Sequence, residues 1–492
     1  MMDAPVVVKG EGMKSPAAMI GTLLRRCAAV LMLAAAVFMW LWGWEFMVGG
    51  LVSTVDPGEI VNVSPLLPEY PGKAREACKV SPDLMPGTES YACFVTVEEN
   101  AKNHMFWWYV APRKKTEKKP KVLVWLQGGP GASSLFGMFS ENGPYVINKD
   151  LTLRERPVSW SDEFGMLYID NPVGTGFSYT ETGQFCNDTK GQVADQLFEM
   201  LSQFYQIFPE LASGADLYIT GESYGGHYVT AFGHKIYREI KHNGCKFPFR
   251  GISLGNAWVD PLNQVQGYPD LMYNLGLVSG TEKAKIQEYC DASVNAILKE
   301  DYLDAFLVWD EMLNGDLYGY PNYFYNITGM KDYFNYLRTF SPEEINWFSE
   351  YVVQNHVRSA IHVGDRSFGH RSRDVEMALR RDFMKSFKPE LDDLLTEGYK
   401  VLIYNGALDI IINSVLTERY VEKLVWPGAA TYLKTGQTIW HKRGSKEVAG
   451  FVKQVGSFTR AVVRNAGHMV PYNQPDVALD LIHRFVHDIP FN

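Results

Sequence analysis

The pentapeptide Gly221-Glu222-Ser223-Tyr224-Gly225 has the residue types needed to present a nucleophile. Glycines permit a sharp reversal between a strand and a helix, with a serine hydroxyl exposed at its apex. The apolar run Leu217-Tyr218-Ile219-Thr220 enters the turn as a strand, and Gly226-His227-Tyr228-Val229 leaves it with helical character. A serine hydroxyl is a weak nucleophile alone. It needs a base to take its proton and a buried carboxylate to hold that base in one tautomer. Asp409, in Asn405-Gly406-Ala407-Leu408-Asp409, and His468, in Arg464-Asn465-Ala466-Gly467-His468-Met469, are the downstream candidates. Singly, Asp409 reads equally well as a helix cap, and His468 is one of 11 histidines. Both nevertheless follow an apolar strand directly, and the chain order Ser223, Asp409, His468 is a recurrent triad order.

Such groups need a scaffold that brings distant strand ends together. Short apolar runs at Val122–Leu126, Met166–Asp170, Leu217–Thr220, Gly251–Asn256, Val401–Asn405 and Ala461–Val463 read as buried strands. Earlier runs at Phe94–Val97 and Met105–Val110 read as strands too. Val193–Phe208 has helical spacing, and a helix is expected from the serine turn to about Ile240. Alternation of this kind predicts an α/β fold, a mostly parallel central sheet with helices on both faces. From 264 to 387 the rhythm gives way to helical and aromatic segments such as Asp301–Met312 and Tyr320–Tyr325, read as a helical insertion over the sheet's carboxyl edge. The expected division is a targeting segment at 1–50, core at 51–263, insertion at 264–387 and core again at 388–492. Active sites of open α/β sheets lie beyond the carboxyl ends of their strands, so the ends after Thr220, Tyr404 and Val463 are the places to look.

The remaining signals concern location. Cys27–Trp44 is an uncharged apolar run behind Arg25-Arg26, which reads as a signal peptide or signal anchor. The rest of the chain is then delivered to the secretory pathway, for secretion or for a lysosomal or vesicular compartment. Membrane attachment is expected only if that segment is retained. Asn62, Asn187 and Asn326 are glycosylation acceptors, Asn62 the weakest because Pro65 follows it. With Cys27 in the targeting run, five cysteines remain, so disulfides with one thiol left over are expected. The formal charge of -9, from 47 basic and 56 acidic residues, argues against nucleic acid as a partner. The basic run from Arg113 to Lys119 reads as a solvated hairpin tip. No cysteine or histidine spacing suggests a metal site.

Several blocks together resemble the serine carboxypeptidase family, over most of the chain from about Cys93 to Pro490. They are Trp125–Ser134 with its Gly128-Gly129-Pro130-Gly131, Glu141–Pro144, Asp170–Tyr179, Gly221–Tyr228, Asn405–Asn413 and Gly467–Pro475. Within the family the chain looks most like the vitellogenic-like branch, because of Gln127 and the stretch from Gly315 to Gly329. The resemblance implies an α/β-hydrolase fold and hydrolysis of the last peptide bond through an acyl-enzyme, without cofactor or metal. The substrates are peptides or proteins with a free C-terminus. It assigns Ser223, Asp409 and His468 to catalysis and the Gly129 and Tyr224 amides to an oxyanion hole. Gln127, Gly128, Glu141 and Glu222 are assigned to the substrate's terminal carboxylate. Acids can serve there if crowding keeps one protonated, which implies an acidic optimum. Ala132 and Ala407 replace a cysteine and an acid common in the family, so one familiar disulfide is expected to be missing. An acyltransferase with the same site and a non-catalytic binding or protective protein are the alternatives; the intact Ser, Asp, His set opposes the second.

Overall fold

The computed structural model describes residues 56–114, 119–316 and 321–491. The expected targeting segment at 1–50 lies outside the described residues.

The strands are β1 (Ser90–Glu98), β2 (Asn103–Val110), β3 (Lys121–Leu126), β4 (Tyr145–Ile147), β5 (Leu153–Glu155), β6 (Gly165–Ile169), β7 (Tyr179–Thr180), β8 (Asp216–Glu222), β9 (Phe249–Gly255), β10 (Lys400–Gly406), β11 (Thr438–His441), β12 (Val448–Val455) and β13 (Phe458–Val463). Eleven of them form one sheet in the order β1-β2-β6-β3-β8-β9-β10-β13-β12-β11, with β7 paired to β2. The middle of the sheet, β6-β3-β8-β9-β10-β13, is parallel throughout. Its flanking pairs are antiparallel.

Alternation along each central strand divides the interior into two layers, since successive side chains leave opposite faces of the sheet. Val122, Val124, Leu217, Ile219, Val401 and Ile403 face one core, which the helices Ala194–Ile207 and Gly225–Asn243 cover. Leu123, Trp125, Tyr218, Leu402 and Tyr404 face the other, under the helix Pro475–His487. Both faces are dry, so the central strands read as continuous apolar runs. Parallel pairing also brings the carboxyl ends of β3, β8, β9, β10 and β13 to a single edge. Between β9 and β10 the described residues form helical segments, loops and isolated bridges.

Two sequence expectations are corrected, and two features went unmarked. The basic run after Arg113 is not a hairpin tip: β2 and β3 are separated in the sheet by β6. The run connects non-adjacent strands, and its ends are ion-paired, Arg113 with Asp162 and Lys119 with Asp216. Among the described residues one disulfide forms, Cys78–Cys93, and three thiols remain, at Cys186, Cys245 and Cys290, rather than one. The helix Pro71–Ala77, ahead of β1, carried no mark in the sequence reading. The edge strands β11 and β12 escaped detection because polar residues interrupt them and only one face of the edge is dry.

Candidate active site

Ser223 stands where β8 gives way to the helix Gly225–Asn243. Its φ is +62°, a left-handed conformation that costs a residue with a side chain roughly 1–3 kcal/mol and persists only when its surroundings enforce it. The surroundings here are hydrogen bonds and close backbone approach. The Ser223 amide donates to Gly255 O at 3.1 Å, and the Trp258 and Gly226 amides both donate to Ser223 O at 2.9 Å. A Cβ on Gly221 would lie 2.5 Å from Leu126 O, so the elbow is wedged against the end of β3.

Those bonds orient the next amide. In a planar trans peptide the N–H points away from the C=O. With Ser223 O held by two donors, the Tyr224 N–H is turned to the opposite side, where Gly128 lies. A Cβ on Gly128 would sit 2.6 Å from Tyr224 N and 2.7 Å from Ser223 Cβ. Only glycine lets the segment after β3 approach so closely. Asp170, fully buried at the end of β6, ties that segment down. It accepts from Ser133 Oγ at 2.6 Å, from the Ser134 amide at 3.1 Å and from the Phe177 amide at 2.9 Å. Burial pushes its carboxyl up to about 6.

Asp409, after β10, and His468, after β13, meet at the same edge. His468 Nδ1 lies 2.8 Å from Asp409 Oδ2, and both residues are buried. The carboxylate also accepts from Asn256 Nδ2 at 2.6 Å and from the Ile411 amide at 3.0 Å. Asn256 returns its Oδ1 to the Gly406 amide at 3.1 Å, linking the ends of β9 and β10. The His468 amide donates to Phe334 O at 2.7 Å, and the Phe334 ring lies 5.1 Å from the imidazole. His468 Nε2 is buried and has no hydrogen-bond partner among the described residues. It lines the same cavity as Ser223, so its free nitrogen is available to a hydroxyl in that space.

That cavity, of about 310 Å³, is bordered by Gln127, Gly128, Gly129, Glu222, Ser223, Tyr224 and His468. Aromatic walls come from Trp258, Trp309, Phe334 and Phe383. Glu222 is 1% exposed, as is Glu141. Gln127 Nε2 donates to Glu222 Oε1 at 3.0 Å while Gln127 Oε1 accepts from the Trp125 indole at 2.8 Å. As bare carboxylates, Glu141 and the second oxygen of Glu222 have no partner. A proton held between the two groups supplies one. Burial pushes Glu141 up to about 7, and burial together with the neighbouring Glu141 raises Glu222 well above the ordinary carboxyl range. Crowding two acids into one dry pocket favours a state with fewer charges. Glu141 itself does not border the cavity. It stands behind Glu222, so any effect on a ligand passes through its partner.

Of the residues named from sequence, Gln127, Gly128, Gly129, Glu222, Ser223, Tyr224 and His468 border this cavity, while Asp409 and Glu141 stand behind His468 and Glu222; the supports of these groups were missed. Asn256 follows β9, a fourth strand end that sequence inspection passed over. Phe334 and Trp258 carried no local signal. Of the three glycosylation acceptors, Asn187 and Asn326 are exposed. Asn62 is more enclosed. Its Nδ2, the atom a glycan would occupy, is half-buried, donates to Thr96 Oγ1 at 2.8 Å and lies 3.1 Å from His104 Nδ1. No cluster of histidine, cysteine or acidic side chains suited to a metal ion occurs among the described residues.

A family model described as serine carboxypeptidase matches residues 82–488. A probable serine carboxypeptidase, CPVL, of Homo sapiens is 41% identical over 416 residues, covering 84% of this chain and 87% of the relative. The vitellogenic carboxypeptidase of Aedes aegypti is 37% identical over 442 residues, covering 88% and 91%. Among solved structures, the prohormone-processing carboxypeptidase Kex1(delta)p of Saccharomyces cerevisiae superposes with a TM-score of 0.75 at 22% identity, covering 84% of this chain and 96% of that one. That likeness establishes the α/β-hydrolase architecture.

Proposed function

Because the chain belongs to the serine carboxypeptidase family and is a serine-type carboxypeptidase, we propose that Ser223, His468 and Asp409 perform the hydrolysis through an acyl-enzyme. Ser223 Oγ attacks the carbonyl of the last peptide bond while His468 Nε2 takes its proton. Asp409 holds Nδ1–H and stabilises the imidazolium. The Gly129 and Tyr224 amides receive the developing oxyanion, a contribution of about 2.7–4 kcal/mol for a well-placed donor. His468 returns the proton to the leaving amine, and water then cleaves the acyl-enzyme.

The single observation that carries the exopeptidase reading is the buried Gln127–Glu222–Glu141 group immediately beside Ser223. A charged pair there would repel a terminal carboxylate. With both carboxyls protonated, one proton bridges the two acids and the other is left for Glu222 to donate to the terminal carboxylate, alongside the remaining Gln127 Nε2 hydrogen and the Gly128 amide. Glu141 raises the proton affinity of Glu222 from behind. Binding therefore weakens as pH rises through the range near 7 in which Glu141 ionises. The test is KM against pH for matched peptides ending in a free acid or an amide. KM for the free acid rises toward alkaline pH, the amide shows little change, and Glu222→Gln flattens the free-acid curve. Parallel curves in all four combinations would remove the clamp from the mechanism.

The same reading places the enzyme in the secretory pathway, as a secreted or lysosomal protein. The Cys27–Trp44 run, the Cys78–Cys93 disulfide and the exposed Asn187 and Asn326 support it.

A further inference from the structure

The nucleophile elbow is gripped from outside the sheet at two points. Tyr224 OH donates to Asp382 Oδ2 at 3.1 Å, with Thr189 Oγ1 also 3.3 Å from that hydroxyl. One residue further, the Trp258 indole donates to Phe383 O at 2.9 Å. The Phe383 ring lies 5.2 Å from that of Tyr224, the planes 21° apart. Asp382 is wholly buried. Its second oxygen is ion-paired with Lys385 Nζ at 3.1 Å. Both gripped residues belong to the Ser223–Tyr224 peptide system: Tyr224 supplies its N–H, and Trp258 holds its carbonyl through the backbone amide.

A buried carboxylate is an expensive way to fill space. Apolar side chains of the same shape commonly stabilise a core as well or better. What a hydrogen-bonded carboxylate adds is direction, because it fixes where the phenol oxygen lies. A ring pinned at its hydroxyl and stacked on one face cannot pivot, so its backbone cannot pivot either.

We propose that Asp382 is a positioning residue for the oxyanion hole, acting through the Tyr224 side chain to hold the Tyr224 amide on the transition-state oxygen. The inference rests on the oxyanion role assigned to that amide above. Asp382 touches no reacting atom. It lies in the turn that follows the helix Arg373–Leu379, between β9 and β10, and so makes transition-state stabilisation depend on how that segment is seated on the sheet.

The test is steady-state kinetics on Tyr224→Phe, Asp382→Leu, Asp382→Asn and the double variant Tyr224→Phe/Asp382→Leu, each checked for thermal unfolding. Removing an oxyanion donor outright typically costs about 10²–10³ in kcat, so a misaimed donor should cost less. Tyr224→Phe and Asp382→Leu are expected to lower kcat about 10- to 100-fold with KM within about threefold. The double variant should be no worse than either single one, because they break one link. Asp382→Asn keeps an acceptor for the phenol and should recover most of the turnover lost in Asp382→Leu. If Asp382→Leu fails to fold, Tyr224→Phe decides alone. Wild-type kcat in Tyr224→Phe, a change confined to KM, or multiplicative losses in the double variant would each overturn the proposal. Ser223→Ala, measured in parallel, separates this from the underlying assignment: an active Ser223→Ala overturns the mechanism, whereas an inactive one beside a fully active Tyr224→Phe overturns only the positioning role.

Discussion

At the scale of single residues, the site is organised around atoms that lack partners. His468 Nε2 is buried and unpaired, while Nδ1 is committed to Asp409. The imidazole therefore has one free face, and it opens on the cavity of Ser223. Ser223→Ala should remove this chemistry and little else, since alanine occupies the same elbow without a new clash. The expected loss in kcat is about 10⁴–10⁶-fold with unfolding temperature preserved. A fluorophosphonate probe gives the independent readout: it labels wild type and leaves the alanine variant unlabelled. Labelling of the alanine variant would place the nucleophile elsewhere.

At the scale of elements, catalysis depends on how closely the segment after β3 lies on the elbow after β8. Gly128 is the contact point. A methyl group there would meet Tyr224 N, Ser223 Cβ and Glu222 O, all within 2.8 Å. None of these is a flexible side-chain end, so Gly128→Ala must push the two segments apart. Turnover should fall at least about 100-fold, because amides on both sides of the contact are displaced together. Measuring kcat and unfolding temperature together checks this. Wild-type turnover in a folded Gly128→Ala protein would show that the contact tolerates expansion and that the oxyanion amides are aimed by something else.

At the scale of the whole molecule, buried and half-buried acids set the pH range of stability. Burial raises Glu141 and Glu376 to about 7, Asp170 to about 6, and Glu222 further still. A carboxyl raised in the folded state contributes stability at low pH that is lost as pH climbs through its folded value. Buried His227 and half-buried His362 and His370 are lowered, so their contribution is lost in the other direction, as pH falls below the usual imidazole value of about 6.5. The two sets oppose each other below that value. Above it only the acids act. The unfolding temperature should therefore fall between about pH 6.5 and 8, and Glu222→Gln should lessen the fall. Calorimetry across that interval decides it; a flat or rising trend contradicts the assignment. A second test at this scale concerns glycans. Endoglycosidase treatment with site mapping should find sugar at Asn187 and Asn326 and none at Asn62, whose amide nitrogen is already hydrogen-bonded.

The sequence alone determined whatever depends on local pattern. Apolar runs of strand length located the central strands, because a strand buried on both faces has no polar positions to spare. The glycines of 221–225 marked the elbow, because few other residues tolerate that turn. Ser223, Asp409 and His468 were legible because each follows such a run directly. The edge strands β11 and β12, only partly covered, left a weak pattern, and the cysteine count could not say which thiols would meet. Tertiary structure alone decided which distant groups share a hydrogen bond. Asn256 reaches Asp409 across 153 positions of chain, and Tyr224 reaches Asp382 across 158. Neither pairing has a local signature, since an asparagine or aspartate after a strand reads the same whether it caps a turn or supports a catalytic atom. Sheet order brought these residues together, and burial raised the Glu141 and Glu222 carboxyls above their ordinary range.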